Sequence, residues 1–132
     1  WLIQMRLTYQ RLYGTWPRFD ALAMHCYQWT AAKCGIILQD YLQWARDWGV
    51  HEIWVTEFAF VPAWAADAQK EAKNFIQILE SEPLVTRYAP FIAYTERGVW
   101  YWPDVRASAD PSLFVGPGSL ELTTVGRWYQ GH

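Results

Sequence analysis

Short apolar runs of strand length alternate with amphipathic helical stretches along these 132 residues, and that alternation limits the fold more than any other feature. Trp1 to Tyr13 sets Leu2, Met5, Tyr9, Leu12 and Tyr13 on one helical face, and Gly14 with Pro17 ends the pattern. Phe19 to Tyr27, FDALAMHCY, reads as a strand. Its alternation puts Ala21, Ala23, His25 and Tyr27 on one face and Leu22, Met24 and Cys26 on the other. Residues 31–48 return to helical spacing, with Cys34, Ile37, Leu38, Tyr41, Leu42, Ala45 and Trp48 on one stripe. Gly49 stops that helix, and Ile53 to Thr56 has the branched and aromatic side chains of a strand.

A loop with Pro62 and Trp64 leads to Asp67, a suitable N-cap for a helix whose stripe is Ala68, Ala72, Phe75, Ile76 and Leu79. Pro83 and Pro90 bracket a turn-like link over Leu84 to Ala89, and the third strand is expected over Phe91 to Thr95. A long loop and a closing helix within Leu120 to Gln130 complete the chain.

Helix–strand units of this length imply parallel strands joined by helical crossovers, an α/β fold. Three strands do not close a barrel, and a (β/α)8 barrel takes about 250 residues. The chain is either a small open layer or a piece with the length of the last three βα units and closing segment of such a barrel. It starts at Trp1 and shows no signal peptide in WLIQMRLTYQ, so a processed or incomplete chain is expected.

Composition removes several function classes. A formal net charge of -2 gives no basic footprint for nucleic acid and no polybasic patch for a membrane surface. No apolar run approaches the ~20 residues of a membrane span. Aromatic residues make up 18% of the chain, so most must be core, yet enough remain to line a ligand. Cys26 and Cys34 are too few and too close for a disulfide framework or a zinc site. A single bridge from strand end to next helix stays open, with free buried cysteine the commoner state.

The residue that asks for a task is Glu57, in HEIWVTEFAF. It is a carboxylate at the C-terminal end of an apolar strand, where α/β folds keep their active sites. Buried or half-buried charges need a partner or a role. The plain alternative is a solvated strand end or a carboxylate paired to an Arg.

FDALAMHCYQ, GVHEIWVTEFAF, SEPLVTRYAPFIAY and GSLELTTVGRWY follow in an order that resembles the C-terminal half of the glycoside hydrolase catalytic-core family. These are clan A barrels that include β-1,3-glucanases. The resemblance rests on a strand ending His-x-Tyr, a later strand ending Thr-Glu-Phe, an Arg-Tyr pair, and a final Ser-Leu…Thr…Gly…Tyr segment. It implies a retaining O-glycoside hydrolase acting on a polysaccharide such as a β-glucan. Glu57 matches the nucleophile that ends the seventh strand, and His25 and Tyr27 match substrate-lining residues that end the sixth. It also implies that residues 1–132 form the C-terminal part of one catalytic barrel domain. No segment here matches the fourth strand and its Asn-Glu acid/base pair, so that Glu is expected in a missing N-terminal part and these residues alone are expected to be inactive.

Further substrate-binding candidates are Tyr94 at the end of the expected third strand, and Trp64, Trp100 and Trp102 in loops of the same rim. Arg87 and Tyr88 read as structural, because they precede that strand and fall toward the opposite rim. Strand alternation aims Glu57 at His25 and turns Thr56 and Phe58 away. No cofactor and no metal are expected, and the setting expected for the parent chain is extracellular or secreted. Two other classes remain: a non-catalytic carbohydrate-binding or remnant half-barrel, and a general α/β interaction domain in which His25, Tyr27 and Glu57 would be scattered.

Overall fold

The computed structural model describes residues 1–60 and 68–91, together with Arg127 and Gln130. In chain order the elements are α1 (Leu2–Tyr13), β1 (Leu22–Cys26), α2 (Ala31–Trp48), β2 (Ile53–Phe58), α3 (Ala68–Glu80) and β3 (Val85–Pro90). The three strands form one sheet in the order β1-β2-β3, and both pairings are parallel. Among the described residues the α/β alternation read from the sequence is present, with three parallel strands each preceded by a helix.

One sheet face is apolar and covered. Leu22, Met24 and Cys26 of β1 and Ile53, Val55 and Phe58 of β2 are buried with Cys34, Leu38, Leu42 and Ala45 of α2 and Phe75, Ile76 and Leu79 of α3. Each fully buried side chain of this size contributes roughly 1.5–3 kcal/mol, so the helices are held by packing more than by their own propensity. Aromatic edges lock the centre, with Phe75 lying edge-on to Phe58 at 5.3 Å and to Phe60 at 5.9 Å. Helix α2 has defined ends. The Thr30 side chain accepts the Lys33 N–H at 3.3 Å, and Gly49 closes the helix at φ 68, a conformation costly for any residue with a Cβ.

Helix α1 is attached differently. None of its residues is buried, and it is held where the Arg6 guanidinium lies between the rings of Trp16 (4.0 Å) and Trp48 (4.6 Å). Its expected stripe is thus only partly used, because Tyr9, Leu12 and Tyr13 are exposed.

Three expectations are corrected. A strand runs over Val85–Pro90, ahead of the expected Phe91 to Thr95, so Arg87 and Tyr88 are strand residues and not part of a link toward the far rim; Ile92 to Thr95 lie outside the described residues. Val85, Thr86 and Tyr88 are good strand formers, and a proline is tolerated at a strand end, where its missing N–H costs no ladder bond. Cys26 and Cys34 are joined in a disulfide, with Cα atoms 5.8 Å apart, tying the end of β1 to the first turn of α2. Thr56 does not turn away with Phe58. It is exposed on the open face of the sheet.

The cause of this last difference is a bulge. Against β1, Val55 pairs with Met24 and Phe58 with Cys26, so Thr56 and Glu57 stand opposite His25 alone. Against β3, Val55 pairs with Tyr88 and Phe58 with Pro90, so the same two residues stand opposite Ala89 alone. Between Val55 and Phe58, β2 therefore carries one extra residue relative to both neighbours, while between Ile53 and Trp54 it is β3 that carries one, Thr86. Strict alternation would have sent Glu57 after Ile53 and Val55, both 0% exposed, into the covered face. The extra residue gives that place to Phe58 and turns Glu57 to the open face.

Among the described residues no helix is long and apolar enough to cross a membrane. Asp67, most of the expected closing helix, and Trp64, Tyr94, Trp100 and Trp102 lie outside the described residues. Arg127 and Gln130, within the expected closing helix, are helical.

Candidate active site

Parallel pairing brings the C-terminal ends of β1 and β2 to one rim, and there the structure brings together His25, Tyr27 and Glu57. His25 stands directly opposite Glu57 in the register. Its Nδ1 lies 3.4 Å from Glu57 Oε2. The Tyr27 hydroxyl donates a hydrogen bond to that same Oε2. Both contacts use one carboxylate oxygen, which leaves Oε1 for a reacting atom. The Glu57 side chain is 35% exposed and that of His25 52%, so the group is open to a ligand while its carboxylate is held.

Tyr27 is the better fixed of the two partners. The His25 ring lies edge-on to it at 6.4 Å, and the Phe91 ring packs edge-on from the β3 side at 5.6 Å. Burial, the hydrogen bond to Glu57 and the carboxylate's charge all push the Tyr27 phenol well above its ordinary range. It remains a protonated donor across the pH range in which proteins work. Phe91, expected at the start of a strand, is a neighbour of the site that the sequence pattern does not reveal. Its N–H donates to the Phe58 carbonyl at 2.7 Å, extending the β2–β3 pairing by one bond and setting the ring beside Tyr27.

The turn that carries Tyr27 is secured on several sides. The Cys26–Cys34 bridge closes it, the Cys26 carbonyl accepts the Ala59 N–H at 3.1 Å, and the Ala31 N–H donates to Glu71 of α3 at 2.6 Å.

The other described glutamates with hydrogen bonds are engaged elsewhere. Glu52 accepts Trp54 Nε1 and Thr86 Oγ1, Glu71 caps α2, Glu80 accepts the Tyr88 hydroxyl, and Glu82 accepts Gln39. Arg87, paired with Trp54 in the register, lies over its indole at 4.9 Å. Among the described residues no group of three His, Cys, Asp or Glu side chains is placed to hold a metal ion.

A half-exposed carboxylate fixed through one oxygen by a phenol is suited to nucleophilic or general-base work. The sequence pattern of the glycosyl hydrolase catalytic core matches residues 8–129, nearly the whole chain. The chain belongs to that family. Among curated proteins none matches it. Membership in the glycosyl hydrolase catalytic core family supports glycoside hydrolase activity in the parent and a carbohydrate as its substrate. In this catalytic core, three parallel strands and three helices are compatible with part of a glycosidase fold.

Proposed function

We propose that residues 1–132 are the C-terminal part of a clan A (β/α)8 barrel, and that the parent is a retaining glycoside hydrolase acting on a polysaccharide such as a β-glucan. Glu57 is its nucleophile. The observation that carries this reading is the carboxylate at the end of β2, turned by the bulge to the open face and held through Oε2 by Tyr27.

In this reading Oε1 of Glu57 attacks the anomeric carbon as the bond to the leaving oxygen breaks. A second carboxyl group, about 5–5.5 Å away, gives its proton to that oxygen. The product is a glycosyl ester on Glu57. The second carboxylate then takes a proton from water, the water oxygen bonds to the anomeric carbon, and the ester bond to Glu57 breaks. The configuration of the sugar is retained across the two steps. Tyr27 keeps its proton and offsets charge on Oε2, and His25 orients the carboxylate or meets a sugar hydroxyl. The engaged glutamates leave the second carboxyl group to a residue outside the described ones, and in this reading it comes from a strand N-terminal to this chain. The secreted setting expected for the parent also belongs to this proposal.

The test uses the parent chain. Glu57→Ala lowers turnover by on the order of 10⁴-fold while leaving glycan affinity nearly unchanged. Azide restores turnover on an activated substrate and gives the product of inverted configuration. Residues 1–132 alone show negligible hydrolysis. Near-normal turnover in Glu57→Ala, or covalent labelling of another residue by a glycosyl inhibitor, excludes Glu57 as the nucleophile. A parent that binds glycan without turnover favours the non-catalytic carbohydrate-binding reading.

A further inference from the structure

Two residues beyond Tyr27, in the turn between β1 and α2, Trp29 is 57% exposed. Two residues span at most about 7 Å, so its backbone lies on the same rim as the Tyr27–Glu57 pair. The turn is closed by the Cys26–Cys34 bridge, capped by Thr30 and tied to α3 through Glu71. Lys33, in the first turn of α2, places its Nζ 4.5 Å from the centre of the Trp29 ring. A large apolar ring is thus kept in water on a braced turn, with its orientation set by a cation on one face. Among the described residues it is no part of the hydrophobic core.

We propose that Trp29 is a glycan platform of this site, stacking a pyranose unit of the substrate next to the one at Glu57. The proposal rests on the carbohydrate reading and adds to it a residue that sets where the chain of sugars lies. β-Linked glucose units carry their hydroxyls at the ring edge and C–H groups on the faces, so a face matches the apolar, π-rich surface of an indole. Lys33 occupies one side of the ring, and the sugar takes the other. Because the turn is already fixed, little side-chain freedom is lost on binding.

Oxidation of exposed indoles by N-bromosuccinimide, read by mass spectrometry, tests this on the parent chain with turnover blocked by Glu57→Gln. Trp29 is the only tryptophan of the tryptic peptide 19–33, and Trp16 is the only one of peptide 12–18, so each reports separately after reduction. A soluble β-1,3-gluco-oligosaccharide slows oxidation of Trp29 and leaves Trp16 unchanged. By calorimetry in the same background Trp29→Ala weakens binding of that oligosaccharide roughly tenfold and Trp29→Phe restores most of it. If the oligosaccharide binds while Trp29 oxidises at its free rate, or Trp29→Phe and Trp29→Ala bind as well as that background, the platform is elsewhere. Trp29 then has no such role and the carbohydrate reading stands. If neither β-1,3- nor β-1,4-gluco-oligosaccharides bind at millimolar concentration, the platform and the carbohydrate reading of this rim both fall.

Discussion

Glu52 and Glu57 lie at opposite ends of one strand, and the side chains around each give it a different task. Glu52 accepts Trp54 Nε1 at 2.7 Å and Thr86 Oγ1 at 2.9 Å, ahead of a weaker pull from the charge of Arg87, and its carboxyl is held below the ordinary value of 4.5. A carboxyl whose folded pKa is depressed binds fewer protons folded than unfolded in that range. The stability it contributes is present above about pH 4.5 and is lost as the pH falls through the lower folded value. Glu52→Gln removes the ionised acceptor, so its denaturant-unfolding curve varies less with pH below that point than the unaltered chain's. An identical acid dependence in the two would show that the Trp54 and Thr86 bonds contribute nothing through ionisation. Glu57, by contrast, is gripped on one oxygen by the phenol of Tyr27 and is left half open. One glutamate serves the β2–β3 pairing, and the other faces the rim.

At the scale of the strand, the extra residue of β2 decides what Glu57 can do. Were Thr56 kept and the bulge absent, Glu57 would enter the apolar face and Phe58 would leave it. Loss of the buried ring alone would cost roughly 1.5–3 kcal/mol, and an unpaired buried carboxylate would add to that. Deleting Thr56 removes the extra residue itself, so that Val55, Glu57 and Phe58 face Met24, His25 and Cys26 in simple alternation and keep their faces. The deletion is therefore expected to change unfolding stability in urea by no more than about 1 kcal/mol, as Thr56→Ser does. A loss of several kcal/mol on deletion would show that Thr56 is not the extra residue of β2.

This bulge also marks the limit of what the chain's letters disclose. The period of two made β1 readable, because Leu22, Met24 and Cys26 differ so plainly from Ala23 and His25. The same rule correctly turned Phe58 from Glu57 but misplaced Thr56, since nothing in IWVTEF marks an extra residue. Pro83 and Pro90 disguised β3 as a turn, although Val85, Thr86 and Tyr88 had the right shapes. Glu57, His25 and Tyr27 were legible from strand ends and from family resemblance. Phe91 was not legible as a neighbour of Tyr27, because that contact depends on where β3 stops.

As a whole, the described molecule is lopsided. One sheet face is sealed by α2 and α3, while the other shows Ala23 and Thr56 to solvent and leaves Trp54 half-buried. Helix α1 exposes Ile3, Leu7, Leu12 and Tyr13 and is held at Arg6, where stacking on two indoles contributes about 0.5–2 kcal/mol per contact. Among the described residues β1 and β3 each have an unpaired edge. Exposed edges and apolar patches favour association. The isolated chain is expected to bind a hydrophobic dye and to sediment as species larger than a monomer. A single dye-free monomer with one cooperative melt would show that residues outside the described part cover these surfaces.

The Cys26–Cys34 bridge spans only eight residues of sequence. At ribosomal speeds of about 5–20 residues per second, both thiols emerge within roughly two seconds of each other, before β2 has emerged to cover them. Once the fold closes, Cys26 is 1% and Cys34 0% exposed, beyond the reach of an oxidant. A chain made in a reducing host would therefore complete its fold with two buried thiols and a looser Tyr27 turn. The shape of the rim is thus in part a record of where the nascent polypeptide was made.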